Sequence, residues 1–220
     1  MPDGVPERLV DAAIRLLAEQ GPSAIKARTV AAATGLSTMA VYSHFGGIPE
    51  LTTAVIERGF KDLDAAFRRL PVTDDPMADL ALQALTCRRV AHDNPHLYDL
   101  MFGLSTRGTY RQQTESACAS GRSHAFLDAY TQVLEACARL VNSGRIREQD
   151  PSRVAAQLWS FAHGFITLEL AETFVGCDDP VKEILLALGV NVFVGLGDTR
   201  ESAEASHEAA ALAFAALPDR

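Results

Sequence analysis

TGLSTMAVYSHFGGIPEL, residues 34–51, decides how the first quarter of this chain folds. Gly35 follows the Ala-rich run KARTVAAAT, residues 26–34, and supplies the left-handed backbone that closes a helix. Leu36 and Ser37 leave room only for a tight turn before TMAVYSHF, residues 38–45, a second short helix that Ser37 is placed to cap. Gly46 and Gly47 end that run, and Pro49 suits the first turn of the next helix. Two short helices about a tight turn make a helix-turn-helix. No Lys or Arg lies between Arg28 and Arg58, so its second helix carries no cationic side chain.

Working outward, VPERLVDAAIRLLAEQG sets Val10, Ala13, Ile14 and Leu17 at helical spacing and stops at Gly21. PELTTAVIERGFKDLDAAFRRL gives a longer helix with Leu51, Val55, Phe60, Leu63 and Phe67 on one face. LPVTDDP, residues 70–76, punctuates the chain before a helix near 77–92 and a restart at Asn94-Pro95 that carries PHLYDLMFGL. Residues 105–121 are polar and without period, as in a loop or a weak helix. A helical period returns over 123–143 and stops at Gly144. Asp150 and Pro151 are a helix cap and first position for residues 151–174, which are apolar nearly all round, as is the segment 180–197. The last twenty residues have only a modest apolar face and read as a short helix or a frayed tail. VNVFVG is the only alternation, and it sits inside a helical pattern. The expected fold is all-α, with a three-helix helix-turn-helix head over 1–48 and a larger helical body over 49–220.

The 220 residues are 48% hydrophobic, enough for a sizeable core, and carry a net charge of −8. That charge excludes non-specific wrapping of nucleic acid by a broad basic surface; any DNA contact is local. No apolar run reaches the roughly 18–20 residues of a membrane span, and MPDGVPERLV has neither the basic flank nor the apolar core of a signal peptide. A cytoplasmic chain with no membrane partner is expected. Cys87, Cys118, Cys137 and Cys177 are scattered without CxxC spacing, which reads as idle or buried thiols. His92 and His96 are four apart but interrupted by Pro95 and lack a third ligand, so no metal is expected. Neither a catalytic constellation nor a Gly-rich phosphate loop occurs, so neither enzyme nor cofactor is expected.

Gly21, VAAATGLS, Tyr42 with Phe45, and Leu51 together resemble the N-terminal pattern of the TetR family of bacterial repressors. In LWSFAHGFITLEL, Trp159, His163 and Gly164 are similar to the signature of the WHG class of C-terminal domains in that family. The resemblance implies a homodimer, dimerising through its last two long helices, whose heads enter successive major grooves of a double-stranded operator. It also implies a helical body holding a small-molecule inducer. The usual Ser or Thr cap of the second helix is Lys26 here, and the usual Lys at the start of the fourth is Ile48.

On that resemblance Tyr42 and His44 reach the DNA backbone, while Ser37, Thr38 and Met39 approach base edges or methyls; Ser43 is a further donor, and Lys26 and Arg28 supply nearby charge. Phosphates can be held without cations, by helix N-termini and hydroxyl or imidazole donors. Tyr42 and Phe45 also read as core filling for a small head. For the ligand, Tyr98, Met101, Phe102, Phe126, Tyr130, Trp159 and His163 mix adaptable apolar walls with a few polar groups, which points to an apolar or aromatic inducer. Trp159 and His163 equally suit a packed core pair. Glu169 and Glu172 suit a ligand's polar group, a solvated rim or a dimer contact. The dimer is expected on 151–174 and 180–197, with Phe193 on the outer face. A ligand-responsive repressor is the leading reading; the alternative is an all-helical dimeric binding protein with a degenerate DNA-binding head.

Overall fold

A computed structural model of the chain describes residues 4–102 and 123–218. All regular elements among these residues are helical: α1 (Val5–Gln20), α2 (Ala27–Thr34), α3 (Thr38–Phe45), α4 (Ile48–Arg68), α5 (Pro76–Asp93), α6 (Pro95–Phe102), α7 (His124–Asn142), α8 (Pro151–Leu170), α9 (Ala187–Leu196) and α10 (Arg200–Ala215). The reading of 105–121 as a loop or weak helix lies outside the described residues. The chain divides into two compact units, Met1–Leu63 with Asp93–Asp128, and Asp64–His92 with Ala129–Arg220. The boundary expected at 48/49 therefore falls within the first unit.

In the first unit the apolar stripes meet as their spacing requires. Leu9, Ala13 and Leu17 of α1, Val30 of α2, Val41 of α3, and Leu51 and Val55 of α4 are all essentially without solvent exposure, and α1 packs on α2 and α3. Gly35 closes α2 in the left-handed region (φ 68°), where an L side chain is strained, and its N–H returns to Ala31 and Ala32. The missing Ser or Thr cap of α2 is compensated from inside the helix. Lys26 has no acceptor to offer, and its backbone N–H donates to Thr29 Oγ1 at 3.2 Å. α6 completes this unit with an aromatic cluster: Phe60 meets Phe102 and Phe126 edge-on at 5.5 and 5.3 Å, and Tyr98 lies 4.7 Å from Phe102.

The second unit is organised by polar anchors as much as by its core. Asp150 caps α8 as expected, accepting from Ser152 N–H at 2.9 Å. Arg145, just after α7, donates to Asp75 and Asp198 at 2.7 Å each and to Ser202 and Ser206, so it fastens the start of α5 and of α10 together. α8 ends at Leu170 rather than 174, and Glu172 beyond it takes φ 55°. A π-helical turn, Val181–Leu186, leads into α9. The frayed-tail alternative is corrected by α10, whose buried side is Ala203, Ser206, His207 and Ala210. Small residues give that face little hydropathy but let the helix approach closely.

Candidate functional sites

The outward side of α3 is polar and open. Val41 is fully buried and Phe45 half-buried, so the helix turns its remaining residues out: Thr38, Ser43 and His44 are exposed, with Met39 at 68% and Tyr42 at 52%. This decides between the two readings of Tyr42, which does not fill the core. Ser37, Lys26 and Arg28 are exposed as well, so all eight expected DNA-facing residues lie on the surface of the first unit. One expectation is corrected: Ser37 stands at the N-cap position in extended conformation, but its hydroxyl makes no capping bond. Ser43 is partly committed, donating to Ala40 O at 3.2 Å.

The start of α4 carries an unexpected charge. Glu50 lies in its first turn, and its carboxylate folds back so far that a Cβ built on Gly47 would sit 3.2 Å from Oε2. An acid there matches the helix dipole and opposes a phosphate at the same place.

The seven expected ligand-facing residues divide. Tyr98, Met101, Phe102 and Phe126 belong to the first unit, where Tyr98 is 1% exposed within the aromatic cluster around Phe60. Tyr130, Trp159 and His163 belong to the second unit and touch in series, Tyr130 edge-on to Trp159 at 5.2 Å and Trp159 against His163 at 4.4 Å. Trp159 and His163 line a cavity of about 40 Å³. Its other walls include Gln83 and Cys87 of α5, Phe161 of α8, Phe193 of α9 and His207 of α10, none of which the sequence singled out as ligand-facing.

Burial drives the chemistry of that cavity toward neutrality. It pushes the Cys87 thiol up to about 12 and His163 down to about 3. His207 is lowered by burial too, against an opposing hydrogen bond to Ala203 O. No charged side chain among the described residues lines the space.

Two further expectations are corrected here. Phe193 is 2% exposed and faces His207 at 5.6 Å, so it belongs to the interior of the second unit and not to an outer face. Glu169 is not a solvated rim: its side chain is 9% exposed, and its carboxylate accepts from Arg88 Nε and Nη2 at 2.7 and 2.8 Å and lies 2.8 Å from His92 Nε2. His96 instead lies against Gly21, and no cluster of three or more metal-ligating side chains occurs among the described residues.

α8 turns a row of small residues outward. Ala156, Ser160 and Gly164 are exposed at intervals of four, followed by Leu168 at 47%, and α9 exposes Leu188, Asn191 and Gly195. A Cβ built on Gly164 or Gly195 meets nothing within 4 Å. No described helix is long and apolar enough to cross a membrane.

Comparison with known proteins agrees with this geometry. Residues 9–55 match the family model described as bacterial regulatory proteins, tetR family, and residues 80–193 match that of the tetracyclin repressor-like C-terminal domain. No curated protein sequence matches the chain. Among solved structures it is similar to a protein of unknown function from Rhodococcus sp. RHA1, at 24% identity and TM-score 0.74 over 89% of this chain and 97% of that one. It is also similar to RolR in complex with resorcinol, at 17% identity and TM-score 0.64 over 98% and 95%. A third is SmeT, repressor of the Stenotrophomonas maltophilia multidrug efflux pump SmeDEF, at 19% and 0.57 over 97% and 90%. With a head whose α3 faces outward, an all-helical body, and family models over both, the chain belongs to the TetR family of bacterial transcription regulators.

Proposed function

We propose that the protein is a cytoplasmic, homodimeric repressor that a small apolar or aromatic molecule releases from its operator, with a C-terminal domain of the WHG class. The observation that carries this reading is the pairing of an outward polar helix, α3, with a neutral, mostly apolar cavity in the second unit. Ser37, Thr38, Met39, Tyr42, Ser43 and His44 offer hydroxyl, imidazole and methyl contacts to DNA, while Lys26 and Arg28 add the nearest charge. The functional boundary between DNA-reading head and ligand-binding body is placed at 48/49, at the start of α4 and inside the first compact unit. Walls of Trp159, Phe161 and Phe193 suit an aromatic inducer once the space of about 40 Å³ widens to admit it, and RolR is a relative in fold whose complex holds resorcinol.

Dimerisation is supported by the outer faces of α8 and α9. The open space over Gly164 and Gly195 gives their lack of side chains a reason if a second copy approaches closely there. Heads about 34–36 Å apart then meet successive major grooves, and a ligand that favours a different arrangement lowers DNA affinity without touching DNA. The alternative, a dimeric binding protein with a degenerate head, is favoured by one observation, the Glu50 carboxylate over the first turn of α4.

The test is binding to the DNA upstream of the protein's own gene, titrated with salt and then with compounds found by thermal shift. Repression expects affinity well above that for random duplex and loss of binding with a hit. Affinity equal to random duplex, in a dimer that still binds the hit, transfers the reading to the alternative.

A further inference from the structure

Gln83 is the side chain whose hydrogen bonding the fold leaves unfinished at the cavity. It sits in the middle of α5, and its Nε2 donates to the backbone carbonyl of Gln132 at 3.5 Å, the long end of the range. A carbonyl only accepts, so the amide nitrogen faces Gln132 and the orientation of the group is fixed. Oε1 is thereby left buried, with no donor among the described residues. Buried amide oxygens in folded proteins are nearly always satisfied, so this one asks for an explanation.

His207 shows the same polarity. Its Nδ1 lies 2.7 Å from Ala203 O, which places the ring proton on Nδ1 and leaves Nε2 a bare acceptor. The ring can lie where it does because Gly189 has no side chain; a Cβ there would be 2.3 Å from Nε2. Gln83 and His207, whose Oε1 and Nε2 are both acceptors, thus line a space with no charged side chain.

We propose that Gln83 is the specificity-determining residue of this cavity, reading through Oε1 a hydroxyl or N–H donor on an otherwise apolar, uncharged ligand. The inference rests on the reading of the cavity as the ligand site. The space of about 40 Å³ holds the donor end of such a molecule and little more. Its remainder needs the wall to move, and His207 also lines the open groove of about 630 Å³ between α9 and α10. Displacing that one ring joins the two spaces, so the apolar part of the ligand extends toward the groove while its donor stays at Gln83. A ligand whose buried end is anionic is rejected, because it brings acceptors to acceptors and no cation lines the cavity around Gln83.

The experiment uses the full-length protein and three probes of one skeleton, 2-phenylethanol, its methyl ether and propylbenzene, with binding measured by calorimetry. The wild type is expected to bind the alcohol about tenfold more tightly than the ether, the worth of one buried hydrogen bond. Gln83→Met keeps the volume but loses the acceptor, and is expected to bring that preference below about twofold while still binding the ether and the hydrocarbon. Gln83→Leu provides the same comparison if the Met variant folds poorly. Binding of all three probes with a preference that Gln83→Met leaves unchanged overturns the role of Gln83 and leaves the cavity as a ligand site. So does equal binding of alcohol and ether by the wild type, the result expected if water alone satisfies Oε1. Binding of none of the probes overturns the inference together with the reading of the cavity.

Discussion

The outward face of α3 and the interior of the second unit handle polar groups in opposite ways. α3 holds Tyr42, Ser43 and His44 in solvent, with little fixed charge to aim them. The second unit takes Arg145, Asp75, Asp198 and Ser206 out of most solvent and ties each to another. The difference teaches where each kind of group does its work. Surface donors add almost nothing to stability and are free to bind a partner, whereas the internal network is spent on holding helix ends together and has little left for a ligand. Gln83 belongs to neither class, which is why it stands out.

The largest effect is expected from the network. Arg145→Met removes a guanidinium that is 22% exposed and leaves Asp198, 6% exposed, without its cation. Breaking a buried pair from one side costs about 3–5 kcal/mol, far more than the pair contributes relative to an apolar replacement. Denaturant unfolding should show a loss of that order. A loss under about 1 kcal/mol would mean that solvent reaches the carboxylates and that the contrast with α3 is one of degree.

Next comes the wall of the cavity. Gly189→Ala places a methyl within 2.3 Å of His207 Nε2, so the ring must leave its position or α9 must shift. Overpacking of this kind costs about 1–3 kcal/mol. If the ring is the movable part of the wall, ligand affinity should change with it; unchanged affinity alongside lost stability would assign His207 to packing alone.

These expectations also mark what the chain's residues disclosed on their own. The head was legible because a helix-turn-helix is local: Gly35, the two-residue turn and the spacing of Val41 and Phe45 place every side chain of α3 within about ten residues of sequence. The cavity was not, because it is a product of non-local packing. Trp159 and His163 were found through their motif, but Gln83, Phe193 and His207 come from three separate helices, and no periodicity marks a residue as bordering a void. Phe193 was misplaced for a related reason. In a helix apolar all round, the pattern does not say which side faces the core, and the exposed Gly164 of α8 and Gly195 of α9 carried that information instead. α10 was obscured by composition, since Ala203, Ser206 and Ala210 pack tightly with almost no hydropathy.

On the outward face the effects shrink to those of single hydrogen bonds. Tyr42→Phe removes only the hydroxyl of a ring that is 52% exposed. Stability should stay within about 0.5 kcal/mol, the range for surface substitutions, while operator affinity falls about three- to tenfold if the hydroxyl donates to a phosphate. Lost stability with intact affinity would mean that the hydroxyl serves the fold of the head and not the DNA.

The smallest effect should come from Glu50→Gln, and it should have opposite signs in folding and in binding. The carboxylate lies by Gly47 in the first turn of α4, where the helix's unpaired amides favour an anion. Removing its charge should cost α4 about 0.3–1 kcal/mol through the lost dipole interaction. If that turn faces the DNA backbone, the same change removes a repulsion with phosphate, which should raise affinity for any duplex a few-fold at low salt. The gain should fade as salt rises toward a Debye length of about 8 Å near 0.15 M and below. Lower stability combined with tighter, salt-sensitive binding would show that the head trades some grip on DNA for helix stability. Lower stability with unchanged binding would place the start of α4 away from the phosphates and leave the contact to α3, Lys26 and Arg28.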